Sequence, residues 1–213
     1  METDIPKQYL RLGSRTLLEH SVLALMSDPR VERVLIVVAP TDRRAATLSL
    51  AGAVSVAPVG GSSRAESVRN GLLALAGEVD ASDRVLVHDA ARPCLSARDL
   101  SALIDAVGEQ DVGGLLAAPV SDTLKRVDGS AVTGTVERMG LWRAQTPQLF
   151  AFGILLRALR NCPDLDAVTD ESSAVERIGF RPQVVRSVDT NLKVTTPADR
   201  PLAEAVLKAS GRW

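Results

Sequence analysis

Short β-branched runs that are apolar on both faces alternate along this chain with helix-start signals, and that alternation constrains the fold more than any other feature. The runs are VERVLIVVAP, AVSVAPV, RVLVHDA and GGLLAAPV, bounded by Pro, Gly or Asp. A strand without a polar face must be covered on both sides, as in a parallel sheet. Between the runs, Thr16 with Glu19, Ser63 with Glu66 and Ser96 with Asp99 have capping-box spacing, and Thr196-Pro197 places a proline at the first position of a last helix. Strand, helix, strand, helix predicts a doubly wound α/β sheet.

Ligands of such sheets bind where the carboxyl ends of the strands open at a switch point. The unusual polar clusters of this chain follow strands. Gly60-Gly61-Ser62-Ser63-Arg64 comes after AVSVAPV, Asp89-Ala90-Ala91-Arg92 after VLVH, and Ser121-Asp122-Thr123 after LLAAPV. Paired glycines at a helix N-terminus can cradle a base and ribose, since they admit close backbone approach and the helix end favours anions. Asp89 and Arg92, two small residues apart, can meet a polyol and a phosphate, or bond to each other. His88 is expected in the core or holding the Asp89 turn, and Cys94 as a small buried hydrophobe. Thr169-Asp170-Glu171 reads as N-cap chemistry. DTNLKVTTPAD places Lys193 in a short strand, pointing away from Leu192 and Val194.

Residues 121–141, SDTLKRVDGSAVTGTVERMGL, break the alternation: they are polar, β-prone and contain Asp128-Gly129, a hairpin signal. A lone hairpin is marginal in water, so this β-arm is expected to pack on a second subunit. With 213 residues, 46% of them hydrophobic, the chain can bury one sizeable core, which gives one domain over 1–213 with the arm inserted. A formal net charge of -1 argues against nucleic acid or a membrane surface as partner. Cys94 and Cys162 lack C-x-x-C spacing, so the expected compartment is the reducing cytoplasm. METDIPKQYL has no apolar signal region, and no apolar run reaches the about eighteen residues of a membrane span. Neither G-x-x-x-x-G-K-[ST] nor G-x-G-x-x-G is present, which removes the P-loop and the dinucleotide fingerprint.

The ordered set PKQYL, GGSSRAESV, VHDAARP, AAPVSDTLK, RMGLWRAQTPQ, TDESSAVE and NLKVTTPAD closely resembles the 2-C-methyl-D-erythritol 4-phosphate cytidylyltransferases of the non-mevalonate isoprenoid pathway, over residues 5 to 205. The resemblance implies a Rossmann-like nucleotidyltransferase three-layer sandwich, with a mostly parallel mixed sheet. It implies transfer of a cytidylyl group from CTP to a methylerythritol phosphate, with Mg2+ held mainly through the CTP phosphates. Lys7 matches the lysine that stabilises the pentavalent transition state, and Lys193 the one that bridges the α-phosphate and the incoming phosphate. Gly60, Gly61, Arg64 and Ser67 fall at the nucleotide; Asp89, Arg92, Thr146 and Thr169 fall at the substrate. Thr123 and Arg138 match arm residues that reach the substrate phosphate of a neighbouring subunit, which implies a homodimer.

The family's opening strand and its P-A-A-G-x-G-x-R-M loop, whose arginine partners Lys7, are absent from the sequence as given: Met1 stands where the loop's last Met falls. The expectation is that the sequence starts downstream of that segment. Alternatives from the same residues are a ribitol 5-phosphate cytidylyltransferase and a catalytically impaired nucleotide-binding subunit.

Overall fold

The computed structural model describes residues 5–48, 50, 52–108 and 112–213. After a 3-10 turn at Lys7–Tyr9 come β1 (Arg11–Leu12), β2 (Arg15–Thr16) and α1 (Leu17–Leu25). Next are β3 (Val34–Val37), β4 (Val54–Ala57), α2 (Arg64–Leu75), β5 (Arg84–Val87), α3 (Ala97–Ala106) and β6 (Gly113–Pro119). The arm strands β7 (Leu124–Asp128) and β8 (Ala131–Val136) follow, then β9 (Trp142–Ala151), α4 (Phe152–Arg160), α5 (Glu171–Arg177), β10 (Gln183–Arg186) and α6 (Asp199–Ala209).

Helix starts follow their caps. The Thr16 hydroxyl accepts from Glu19 N–H while Glu19 Oε2 accepts from Thr16 N–H, a complete capping box. Ser63 and Ser96 cap α2 and α3 through their hydroxyls, but their acidic partners are diverted. Glu66 accepts from Ser62, and Asp99 from Ser187 and two backbone N–H groups beyond β10. α6 starts two residues after Pro197, because Asp199 folds back to accept from Thr195 and Thr196 N–H and turns that proline into part of the approach.

Alternation along the strands builds three layers. Leu86, Leu116 and Leu149 pack with α1 and α3 on one face, while Val85, Val87 and Phe150 pack with α2, α4 and α5 on the other. A smaller cluster seats α6 against Leu12, Leu17 and Cys94. One sheet has the order β10-β6-β9-β5, in which β9 runs against its two neighbours and β10 runs parallel to β6. β3 and β4 form a separate parallel pair. The sheet is therefore mixed, as expected, but it is divided.

Between β3 and β5 lies a cleft of about 770 Å³, lined by both strands and closed by α1 and α2. Neither strand has a hydrogen-bonded neighbour on that side among the described residues. This is why the apolar β5 is only half-buried along its length. β4, expected to be covered on both faces, exposes Ser55 and Val56, since it is an edge strand. The expectation about a preceding strand and glycine loop concerns Met1 and lies outside the described residues.

The arm is an antiparallel hairpin whose two-residue loop is Gly129-Ser130, one position beyond the Asp128-Gly129 signal. Gly129 takes φ +55 there, the left-handed conformation that favours glycine. Val127, Val132 and Met139 are 58%, 61% and 85% exposed. Among the described residues no helix is long and apolar enough to cross a membrane.

Candidate active site

The polar clusters that follow β4 and β5 meet Thr146 of β9 and Lys193, beyond β10, at one edge of the sheet, while the cluster after β6 stays apart. Gly60 turns directly over the end of β3, where a Cβ would stand 2.9 Å from the Val38 carbonyl, and a Cβ on Gly61 would stand 2.2 Å from the Glu66 side chain. A larger residue at Gly60 would have to displace backbone, and one at Gly61 would have to turn the Glu66 side chain aside. Ser67 fastens this turn to α2: its hydroxyl accepts from Gly61 N–H at 3.0 Å and donates to the Ser63 carbonyl.

Asp89 is the hub. Its Oδ1 accepts from Arg64 Nε at 2.9 Å and its Oδ2 lies 2.8 Å from Lys193 Nζ. Burial pushes this carboxyl up, but the facing charges of Arg64 and Lys193 outweigh burial and hold it at about 2. The expected alternative partner, Arg92, takes another course and donates from Nη1 to the Asn191 carbonyl. Lys193 lies in no strand. The Val194 N–H to Ala91 carbonyl bond, with the Arg92 bond to the Asn191 carbonyl, ties this stretch to the turn after β5; the Lys193 side chain is 41% exposed and Val194 is buried.

Arg92 is half-buried, and its buried Nε has no hydrogen-bond partner among the described residues. Burial lowers its pKa, as do the nearby charges of Arg64 and Arg143, against the opposing pull of Asp89. A guanidinium held so, with a donor unspent, has the chemistry to receive an anion. It lines a cavity of about 240 Å³ together with Arg64, Asp89, Thr146, Thr169 and Lys193. The larger β3–β5 cleft opens onto the same edge at Lys7, Ser67, Asp89 and Lys193. The 3-10 turn that carries Lys7 also carries Tyr9, whose hydroxyl donates to Asp42 at 2.8 Å; burial and that carboxylate push the phenol up to about 12.

Eight of the twelve sequence-derived candidates thus line these two spaces: Lys7, Arg64, Ser67, Asp89, Arg92, Thr146, Thr169 and Lys193. Gly60 and Gly61 border them through Ser67. Thr123 and Arg138 do not reach them in this chain; both are exposed at the base of the arm, where Arg138 donates to the Ser121 carbonyl. Among the described residues no group of three or more His, Cys, Asp or Glu side chains could hold a metal ion.

Two residues have roles the sequence did not indicate. Glu171, read as part of a helix cap, is buried and accepts from both terminal nitrogens of Arg64, at 2.7 and 2.9 Å. Burial pushes its carboxyl up and the Arg64 fork opposes that. Thr146 spends its hydroxyl on the Asp89 turn: it accepts from Asp89 N–H and bonds to His88 Nδ1, both at 3.0 Å. The Arg92 carbonyl can only accept, so the neutral imidazole carries its proton on Nε2 and donates it there at 3.1 Å, which leaves Nδ1 to accept from the Thr146 hydroxyl. His88 holds the turn, as one of its two expected placements had it.

Burial pushes the His88 imidazole down to about 4, from 6.5. Above pH 6.5 it is neutral folded or unfolded and adds no pH dependence. As the pH falls from 6.5 to about 4, the unfolded chain takes a proton that the folded chain refuses, so stability drops, by about 3 kcal/mol once the pH is below both values. Denaturation of wild type and His88→Gln across this range checks it: the glutamine keeps a donor for the Arg92 carbonyl, and the variant is expected to lose that acid slope. The same slope in both proteins would contradict the assignment.

The family described as IspD: 2-C-methyl-D-erythritol 4-phosphate cytidylyltransferase matches residues 1–209. The chain is 50% identical over 208 residues to the 2-C-methyl-D-erythritol 4-phosphate cytidylyltransferase of Dechloromonas aromatica (strain RCB), covering 96% of this chain and 90% of that one. It is 48% identical over 214 residues to the enzyme of that name from Klebsiella pneumoniae subsp. pneumoniae, covering 99% and 89%. A crystal structure of a 4-diphosphocytidyl-2C-methyl-D-erythritol synthase superposes with a TM-score of 0.88 at 44% identity, covering 94% of each chain. A family match over residues 1–209, with relatives about half identical over nearly the whole chain, places this protein in the 2-C-methyl-D-erythritol 4-phosphate cytidylyltransferase family.

Proposed function

We propose that the protein transfers a cytidylyl group from CTP to 2-C-methyl-D-erythritol 4-phosphate, and that Arg92 seats the acceptor phosphate. The observation that carries the seating is the buried Arg92 Nε without a partner, beside Lys193 and Asp89 in a cavity at the sheet edge. An acceptor phosphate oxygen attacks the α-phosphorus of CTP, the bond from that phosphorus to the β-phosphate oxygen breaks, and pyrophosphate leaves. The protein's part in such a reaction is positioning and charge stabilisation. Lys193 bridges the two phosphates, and Lys7 faces the charge that builds on the pentavalent phosphorus. Gly60, Gly61 and Ser67 border cytosine and ribose, with Arg64 between the nucleotide and Asp89. Asp89 and Thr169 meet acceptor hydroxyls, and Thr146 acts by fixing Asp89.

Mg2+ enters this reading with the substrate, carried by the triphosphate, whose charge it offsets. The relatives' names favour methylerythritol phosphate over ribitol 5-phosphate as acceptor, and the family's activity disfavours an impaired subunit. The chain is read as one domain with its arm at 121–141, completed by an extended apolar strand in the β3–β5 cleft. Such a strand gives two unpaired edges their hydrogen bonds and makes the sheet continuous. The arm, with its exposed Val127, Val132 and Met139, is read as lying on a second copy, where Thr123 and Arg138 meet that copy's acceptor phosphate. The two free cysteines fit a reducing cytoplasm.

Arg92→Ala tests the seating. Losing a charged hydrogen bond of this kind is expected to raise KM for the acceptor about 10- to 100-fold, while KM for CTP stays within about twofold. An unchanged acceptor KM would contradict it.

A further inference from the structure

Glu171 belongs to a chain of four charges that crosses the site. It is the first residue of α5, yet the helix does not use it: Asp170 caps the end and Ser173 completes the box. Its carboxylate turns inward, 2% exposed, and takes both terminal nitrogens of Arg64. A fork gripped at two points fixes the plane of the guanidinium, and therefore the line along which the remaining Nε–H points. That line ends on Asp89 Oδ1, which leaves Oδ2 for Lys193.

We propose that Glu171 is a positioning residue for the transfer reaction: by occupying the Arg64 fork it keeps Arg64 on one oxygen of Asp89, so that the other oxygen holds the Lys193 ammonium at the phosphates. This rests on the reading that Lys193 acts on the reacting phosphates. The order of charges, carboxylate, guanidinium, carboxylate, ammonium, explains why the buried charge matters. Without Glu171 the Arg64 fork has one carboxylate left, Asp89, and turning to grip both its oxygens displaces Lys193. A buried carboxylate that served only the fold would be replaceable by an uncharged side chain of its shape with no effect on the chemistry.

The test is a double-mutant cycle of Glu171→Gln with Lys193→Ala, read as kcat and as KM for each substrate on protein with a native circular dichroism spectrum. Glu171→Gln alone is expected to lower kcat about 10- to 100-fold, the scale of a displaced catalytic group, with KM for CTP within about twofold. On the Lys193→Ala background it is expected to cost nothing further, since the group it positions is gone. Should Glu171→Gln fail to fold, Arg64→Lys keeps the charge facing Glu171, loses the fork, and is expected to give the same loss and the same non-additivity. A normal kcat with only a lowered melting temperature would overturn the proposal, as would a full loss repeated on the Lys193→Ala background. Wild-type turnover by Lys193→Ala itself would overturn the Lys193 reading and this inference with it; a crippled Lys193→Ala beside an unimpaired Glu171→Gln sinks the inference alone.

Discussion

Lys193→Ala is expected to lower kcat for cytidylyl transfer by about 10²- to 10³-fold, the usual cost of removing one preorganised charge from a developing anion. Its ammonium stands 2.8 Å from Asp89 Oδ2, at the junction of the 240 Å³ cavity with the 770 Å³ cleft. If the pair served stability alone, little would change, because ion pairs with an exposed partner contribute about 0 to 1 kcal/mol. The lysine side chain is 41% exposed, so its contribution to folding belongs at that low end. Steady-state kinetics beside a melting curve separates the two: a deep loss of kcat with a melting temperature close to wild type supports a role in chemistry. The reverse pattern would assign Lys193 to the scaffold.

The second large effect concerns the arm. Arg138 is exposed, lines neither cavity of its own chain, and lies next to Met139. If it completes the site of a second copy, Arg138→Ala and Lys193→Ala are each inactive alone but complement each other. Co-expressed in equal amounts, half the dimers are mixed and each mixed dimer holds one intact site, which predicts about a quarter of wild-type activity. Recovery at that level establishes a site shared across the dimer. No recovery, or a fully active Arg138→Ala, would contradict it.

What was legible in the sequence was local. Thr16, Ser63 and Ser96 announced their helices because a cap is settled within four residues. The arm was visible because its polarity and glycine turn break the surrounding pattern. The site was recognisable as a set of strand-end clusters, which is where a doubly wound sheet presents ligands. Pairings across the chain were not legible. Asp89 could as well have paired with Arg92, three residues on, as with Arg64, and only the packing of α2 and α5 on α4 brings Arg64 to Glu171, 107 positions away. Lys193 was expected in a strand from its alternation with Leu192 and Val194, but no ladder forms: one backbone bond to Ala91 and side-chain bonds from Arg92 and Asn191 order that stretch. Nor did alternation foretell the division of the sheet, since the runs around Ile36 and Leu86 read the same whether or not a neighbour lies beside them.

The most direct measurement is pyrophosphate release by the purified enzyme with Mg2+ present, comparing CTP with ATP and 2-C-methyl-D-erythritol 4-phosphate with ribitol 5-phosphate and with no acceptor. The account predicts release that requires CTP and methylerythritol phosphate together. Equal release with ribitol 5-phosphate, or none with any pair from a protein whose β3–β5 cleft carries its strand, would contradict it.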